Sequence, residues 1–161
     1  MKPLKFIHIY VIYFSYLLRH KWHVFIACCR MGIIWRGITH DLSKFLPSQF
    51  IPYANWYYGV NQDTTCIDHR RKYQIALLKH FNGSDHHWEY WLMPISNKQC
   101  NVFKMPLPAL KEMVADWIGA GKAKKSGLSA RDWYLQRKHT ITLAASSKKK
   151  LIKYLDEKWV N

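Results

Sequence analysis

The sequence has few acidic residues, glycines and prolines. It carries 10 Asp and Glu against 25 Lys and Arg in 161 residues, with 7 Gly and 6 Pro. So little glycine and proline excludes collagen-like and low-complexity chains. An apolar content of 49%, with 16% aromatic residues, excludes a globally disordered chain. A chain of this length buries roughly 70% of its unfolded surface on folding, and we expect one domain over residues 1–161.

Cysteine motifs and long apolar runs are also lacking. The four cysteines form no Cys-x-x-Cys pair, which argues against a disulfide scaffold and predicts a reducing, cytoplasmic location. The apolar stretch at 6–18 would span only about 20 Å as a helix, less than the roughly 30 Å hydrocarbon core of a bilayer. No small-residue cleavage site follows it. We interpret it as a core helix, with peripheral membrane contact as the less favoured alternative.

The positive charge is concentrated at the two ends of the chain. The formal charge of +15 divides into +6 over residues 1–60, +1 over 61–100 and +8 over 101–161. A basic surface favours partners that carry phosphate, whether nucleic acid, a nucleotide or an anionic lipid head group. A solvated cationic surface without a specific partner is the plainer alternative.

The apolar pattern is helical along most of the chain. No segment alternates at period two for long enough to predict a strand with confidence, so we predict an all-α fold. The expected helices cover 4–30, 33–38, 66–81, 107–120 and 147–159, the last of these basic.

Several local signals predict where these helices stop and start. Pro47 and Pro52 should break the chain, and residues 93–107 should form a loop. Ser84 or Asp85 should cap a helix that begins at His86. Glycines 119 and 121 should end the helix that begins at 107, and the segment 129–132 is similar to a capping box.

Histidines and aspartates follow one another in a particular order. Neutral imidazole and carboxylate groups are the usual protein ligands of Mn²⁺, Fe²⁺ and Zn²⁺. A single histidine in a helix is usually structural, whereas an ordered series favours a metal site. The series is His20 or His23, then His40 and Asp41, His80, His86 and His87, and finally Asp116.

This order resembles the signature of the HD-domain metal-dependent phosphohydrolases, in the fuller form found in HD-GYP proteins. H-D-L-S-K at 40–44 is similar to the H-D-x-x-K run of that superfamily. Four strings resemble a small, poorly characterised HD-like family common in bacteriophages and bacteria, and the likeness covers about residues 15–140. They are R-H-K-W-H-V-F at 19–25, H-D-L-S-K-F-x-P-S at 40–48, H-H-W-E-Y-W at 86–91 and E-M-V-A-D-W-I-G-A-G at 112–121.

The resemblance implies a compact HD-domain-like helical bundle that binds one or two divalent metal ions. The metal would be Mn, Fe, Zn, Ni, Co or Mg. His40, Asp41 and Asp116 would be the central ligands. His20, preferred over His23 because it begins the family-like H-K-W run, and His80, His86 and His87 would complete the coordination.

The implied chemistry is hydrolysis of a phosphoester. Asp41 would orient the attacking hydroxide. Lys44 would contact a phosphate oxygen or simply lie at the surface. Glu89 would serve as a general acid and base, or would fix a histidine tautomer. His87 has an alternative role as a core histidine packed by Trp88 and Trp91.

Rival functions stay open at this point. The substrate would be a phosphorylated small molecule, with nucleotides among the candidates. One alternative is a basic nucleic-acid- or partner-binding protein with a structural or vestigial metal site, suggested by the lysines at 148–150. Another keeps the metals but uses them as a di-iron oxygenase. The oligomeric state does not follow from the residues.

Overall fold

The protein is a helical bundle with one small hairpin, which confirms the predicted all-α class. A computed structural model describes residues 3–59, 67–96 and 99–157. The helices are α1 (Pro3–Arg30), α2 (Ile34–Thr39), α3 (Pro47–Tyr58), α4 (Ile67–Gly83), α5 (Leu107–Lys124), α6 (Ala130–Arg137) and α7 (Ala145–Leu155), and the strands are β1 (Leu92–Ser96) and β2 (Gln99–Val102). Two short 3₁₀ turns lie at Leu42–Phe45 and Trp88–Trp91.

The core consists of two apolar clusters that both use α1. In the larger cluster, Val24 and Cys28 pack with Leu110 of α5 and Leu151 of α7. In the smaller cluster, Tyr13 and Leu17 pack with side chains of α3 and α4. Because α1 passes from one cluster to the other between positions 17 and 24, a buried residue there lies at the centre of the bundle.

The opposite face of α1 is apolar as well, but it is exposed. A helix that is apolar on both faces is normally buried on both faces. The exposed apolar stripe of α1 is therefore unusual for a helix at the surface. The exposed side chains are Ile7, Val11, Phe14, Leu18 and Trp22. Within the described residues, no helix is sufficiently long and apolar to pass through a bilayer.

The predicted end of α5 near Gly119 is wrong, because the helix continues to Lys124. A Cβ atom at position 119 would collide with the Val24 side chain and would lie 3.2 Å from the carbonyl oxygen of His20. Gly119 therefore allows α1 and α5 to approach closely and does not terminate the helix. The predicted cap at 129–132 is confirmed, since Ser129 Oγ accepts a hydrogen bond from the Asp132 backbone N–H.

The predicted break at Pro52 is wrong, whereas the one at Pro47 coincides with the start of a new helix. Pro47 opens α3, where its missing N–H has no helical partner to lose. Pro52 lies inside the helix, where proline removes one backbone hydrogen bond. Burial of the neighbouring Tyr53 and Ala54 offsets that loss.

Residues 93–107 are not a simple loop. β1 and β2 pair antiparallel, with Leu92 opposite Val102 and a register shift between Pro94 and Ser96. Most of the hairpin is exposed, so neither strand needs the alternation of apolar and polar residues that would reveal it in the sequence. The C-terminal helix begins two residues earlier than predicted and ends at Leu155, while residues 158–161 lie outside the described part of the chain.

Candidate metal centre

His40 and Asp41 lie at the turn that follows α2. The His40 backbone N–H donates to the Arg36 carbonyl and so closes the helix. Asp41 has a φ of 55° and a ψ of 23°, the left-handed conformation that non-glycine residues rarely adopt. Aspartate tolerates this conformation better than most residues. The reversal turns the chain so that His40 and Asp41 are both buried in the bundle.

A first group of four ligand atoms comes from α1, the turn and α5. His20 Nε2 lies 3.1 Å from Asp116 Oδ1, 3.4 Å from His40 Nε2 and 3.7 Å from Asp41 Oδ2. The four atoms all lie within 4.8 Å of one another. This group offers two imidazole nitrogens and two carboxylate oxygens to one metal ion.

A second group forms around the other oxygen of Asp41. Asp41 Oδ1 lies 3.3 Å from His80 Nε2 and 3.5 Å from His86 Nε2, and His87 Nε2 lies 2.8 Å from His80 Nε2. Among the described residues, Asp41 Oδ1 and His86 Nε2 are buried without a hydrogen-bond partner. Such atoms are costly to bury unless something pairs with them, and a metal ion would satisfy both.

Asp41 therefore belongs to both groups, with Oδ2 facing the first and Oδ1 facing the second. Its side chain is only 1% exposed. A carboxylate that offers one oxygen to each of two neighbouring sites is suited to bridging two metal ions.

Glu112 is a buried member of the site that the sequence argument missed. Its Oε1 accepts a hydrogen bond from His40 Nδ1 at 2.9 Å and lies 3.2 Å from His86 Nδ1. Arg36 donates to its other oxygen. Since a carboxylate can only accept here, Glu112 holds the Nδ1 proton of His40 and leaves Nε2 directed at the ligand groups. The sequence did contain one signal for Glu112. Residues 112 and 116 are four apart on a helix and so share a face, which places Glu112 beside the predicted ligand Asp116.

Opposite charges in the centre stabilise the carboxylates. Burial alone would raise the pKa of Asp41, but His40 and Lys44 outweigh burial and hold the pKa well below its usual value. Burial likewise disfavours the charged form of His40 and would lower its pKa. Asp41 and the other carboxylates outweigh burial and raise the pKa of His40 well above the usual value. Without a metal ion, His40 is therefore protonated on Nε2 as well as on Nδ1. A metal ion bound at Nε2 would displace the Nε2 proton.

The histidines of the second group behave differently. Burial lowers the pKa of His80 to about 4 and lowers that of His87 well below its usual value. Both imidazoles are therefore neutral at physiological pH. Neutral imidazole is the form that binds metals, so this group is ready to accept an ion.

The remaining predicted site residues have separate positions. Lys44 is not a free surface lysine, because its Nζ lies 2.6 Å from Asp41 Oδ2. His23 lies away from the centre, beside Arg30 and Lys122, which leaves His20 as the histidine of α1 in the cluster. Glu89 belongs to neither ligand group, and burial raises its pKa. The predicted helix beginning at His86, with Ser84 or Asp85 as its cap, is wrong: the chain forms only the 3₁₀ turn at Trp88–Trp91, which no side chain caps, and the Asp85 carboxylate pairs with Arg36 instead.

Among the described residues, a cavity and a groove meet different residues of the centre. A cavity of about 170 Å³ meets the first group at His20 and Asp116 and continues past Lys44. A wider, polar groove of about 470 Å³ meets the second group at His86. The walls of the smaller cavity are Tyr13, Tyr16, Leu17, Tyr53, Tyr57, Tyr58, Ala120 and Lys124.

The protein is all-α, and its buried and half-buried histidines and carboxylates form two adjoining groups around Asp41 that could hold metal ions, besides a third group of His40, His86 and Glu112. The chain belongs to the family described as "Family of unknown function (DUF5662)", whose family model matches residues 11–157. Comparison with the curated proteins finds no match, and neither does comparison with the solved structures.

Proposed function

We propose that the protein is a metal-dependent phosphohydrolase acting on a nucleotide or a related phosphoester. The observation that carries this proposal is the position of Asp41, whose Oδ2 lies near His20 and whose Oδ1 lies near His80, one oxygen for each ligand group. The resemblance of the ligand order to HD-domain phosphohydrolases supports the same reaction class.

The donor set indicates which ions would bind. The first group has two imidazoles and two carboxylates, and the second has three imidazoles and one carboxylate. Imidazole-rich sites suit Mn, Fe, Co, Ni and Zn better than Mg, which prefers oxygen ligands. Divalent ions in such a site neutralise phosphoryl oxygens and lower the pKa of a bound water towards neutrality.

The side chains of the protein would then position the reactants. Asp41 would hold the two ion sites at a fixed separation. Glu112 would keep His40 and His86 in the tautomer that exposes Nε2. The ammonium of Lys44, already beside Asp41, would contact an anionic oxygen of the substrate. Glu89 belongs to neither ligand group, so it would act as a general acid and base and not as a ligand.

Metal content and phosphate release test the proposal. Protein purified without chelator should contain a transition metal and should release phosphate from some member of a panel of nucleotides and simple phosphate esters. His40→Ala should lose both properties. His23→Ala, which removes a histidine outside the centre, should keep both.

Two outcomes would contradict the proposal. One is purified protein without metal that also fails to bind any of the candidate ions. The other is oxygen consumption by ferrous protein together with no phosphate release, which would favour a di-iron oxygenase.

A second candidate function rests on the exposed lysines of α7. Lys148, Lys149, Lys150 and Lys153 are all exposed on this short helix, a pattern found in surfaces that bind nucleic acid. On this alternative, DNA binding would weaken steeply with added salt and would persist in His40→Ala. DNA binding that disappears with His40 would point instead to the metal centre.

A further inference from the structure

The cavity beside the first ligand group has walls from three helices. Tyr13, Tyr16, Leu17 and His20 share one face of α1, and Tyr53 and Tyr57 lie one turn apart on α3. On α5, Asp116, Ala120 and Lys124 follow each other at intervals of four residues. The cavity therefore runs along α5 from Asp116 towards Lys124.

Two ammonium groups and one orphaned hydroxyl characterise this cavity. Lys44 and Lys124 both line it. Tyr53 is only 4% exposed, and within the described residues its hydroxyl is buried without a hydrogen-bond partner. A buried hydroxyl without a partner is rare in folded proteins and indicates that a polar group of a ligand completes it.

The size of the cavity restricts the ligand. Its volume of about 170 Å³ is below the usual range for sites that enclose a drug-sized molecule, roughly 300–1,000 Å³. Five of its eleven lining residues are tyrosines. A volume of this size holds a small anion more readily than a stretch of polynucleotide.

We infer that this cavity binds the phosphate of a compact phosphate monoester, with Lys44 and Lys124 facing its anionic oxygens and the Tyr53 hydroxyl donating a hydrogen bond. The inference rests on the proposed function, since it places the phosphate beside the first ligand group. It adds Lys124 and Tyr53 as substrate-binding residues and names the substrate class. A metal ion in the first ligand group would balance Asp41, which pairs with Lys44, and Asp116, which also lines the cavity. The charges of Lys44 and Lys124 then match the two negative charges of a monoester better than the single charge of a diester.

Inorganic phosphate is the probe for the test, with binding measured by calorimetry on metal-loaded protein. Lys124→Met should weaken phosphate binding about tenfold, as expected for loss of a hydrogen bond to a charged group. Tyr53→Phe should weaken it several-fold. Lys122→Met is the matched control, because Lys122 lies two residues earlier on α5 and faces His23; its affinity for phosphate should equal that of the wild type. Metal content should stay the same in all three variants.

Equal phosphate affinity in the wild type and Lys124→Met would overturn the inference, and so would wild-type protein that binds no phosphate. p-Nitrophenyl phosphate should compete with phosphate, while a short oligonucleotide without a terminal phosphate should not. Competition by that oligonucleotide would overturn the assignment to compact monoesters.

Turnover separates this inference from the proposed function. Phosphate binding that depends on Lys124, combined with no hydrolysis of any ester, would overturn the proposed function and leave the anion site standing. Ester hydrolysis by the wild type, with a KM that is unchanged in Lys124→Met and Tyr53→Phe, would support the proposed function and overturn the assignment of the anion site.

Discussion

Glu112 Oε1 accepts a hydrogen bond from His40 Nδ1 across 2.9 Å, although 72 residues separate the two in sequence. Through this contact α5 controls the tautomer of a histidine on the turn after α2. Residues that orient metal-bound histidines in this way typically contribute 10- to 100-fold to metal affinity.

Glu112→Gln should therefore lower metal affinity by about 10- to 100-fold. The amide would keep an acceptor for one histidine but would lose the negative charge. Titration of the chelator-treated protein with Mn²⁺ or Zn²⁺ measures this effect. Asp68→Asn, at an exposed ion pair of α4, is the matched control and should bind metal as the wild type does. Wild-type affinity in Glu112→Gln would show that the hydrogen bond does not influence the site.

The two ligand groups should lose metal independently. His87→Gln removes a ligand of the second group only, and Asp116→Asn removes a ligand of the first group only. Each variant should retain one ion where the wild type retains two, whereas Asp41→Asn should weaken both sites. Elemental analysis of the purified variants measures the stoichiometry. If either single variant lost both ions, the groups would constitute one site.

The close contact of α1 and α5 predicts a marked effect of Gly119→Ala. The added methyl group would overlap the Val24 side chain, and overpacking of this kind costs typically 1–3 kcal/mol of unfolding free energy. Metal affinity should fall as well, since α1 carries His20. Gly83→Ala is the control, because a Cβ atom there meets nothing within 4 Å. Denaturant unfolding of both variants compares the two positions.

Adjacent leucines on α1 should differ in their effect on stability. Leu17 is 1% exposed and Leu18 is 48% exposed. Leu17→Ala should cost about 2–5 kcal/mol, as for other buried leucines, while Leu18→Ala should remain within roughly 0.5 kcal/mol of the wild type. A large loss in Leu18→Ala would mean that another surface covers the exposed apolar stripe, and unfolding at several protein concentrations would test for a second copy.

The metal-free protein should lose stability as the pH falls from 6.5 to 4. His80 has a pKa of about 4 in the folded chain, below the ordinary histidine value of about 6.5. Between these values the unfolded chain binds a proton that the folded chain does not. Acidification over this range therefore favours unfolding, by roughly 3 kcal/mol from His80.

Denaturant unfolding in the presence of a chelator, at several pH values, measures this dependence. His80→Gln should lose less stability over the same range. His139→Gln removes an exposed histidine and should keep the wild-type pH dependence. A dependence that is identical in His80→Gln would contradict the assignment.

The residue types of the candidate metal centre and the positions of the helices were the easiest features to predict. The order of His40, Asp41, His80 and Asp116 was evident from the sequence, and the structure brings these residues together. Their residue types already indicate the chemistry, because imidazole and carboxylate groups are the usual protein ligands of divalent transition metals. Most helix positions were likewise predicted, since apolar periodicity reports burial directly.

Other features depend on contacts between distant segments. His20 and His23 lie one turn apart, and only the packing of α1 against α5 shows that His20 faces Asp116. Glu112 looks like an ordinary helical glutamate until its contact with His40 is seen. Pro52 is accepted inside α3 because neighbouring side chains are buried, and the hairpin from 92 to 102 follows no alternating pattern because most of it is exposed.

The sequence alone determined the helical class, the excess of positive charge at both ends and the set of candidate metal ligands, since each of these follows from composition, apolar periodicity or the order of residue types along the chain. Only the tertiary structure decided that Asp41 divides its oxygens between two ligand groups and that a tyrosine-walled cavity opens beside one of them. Those features arise where α1, α3, α4 and α5 meet, and the distances between helices depend on packing over the whole bundle.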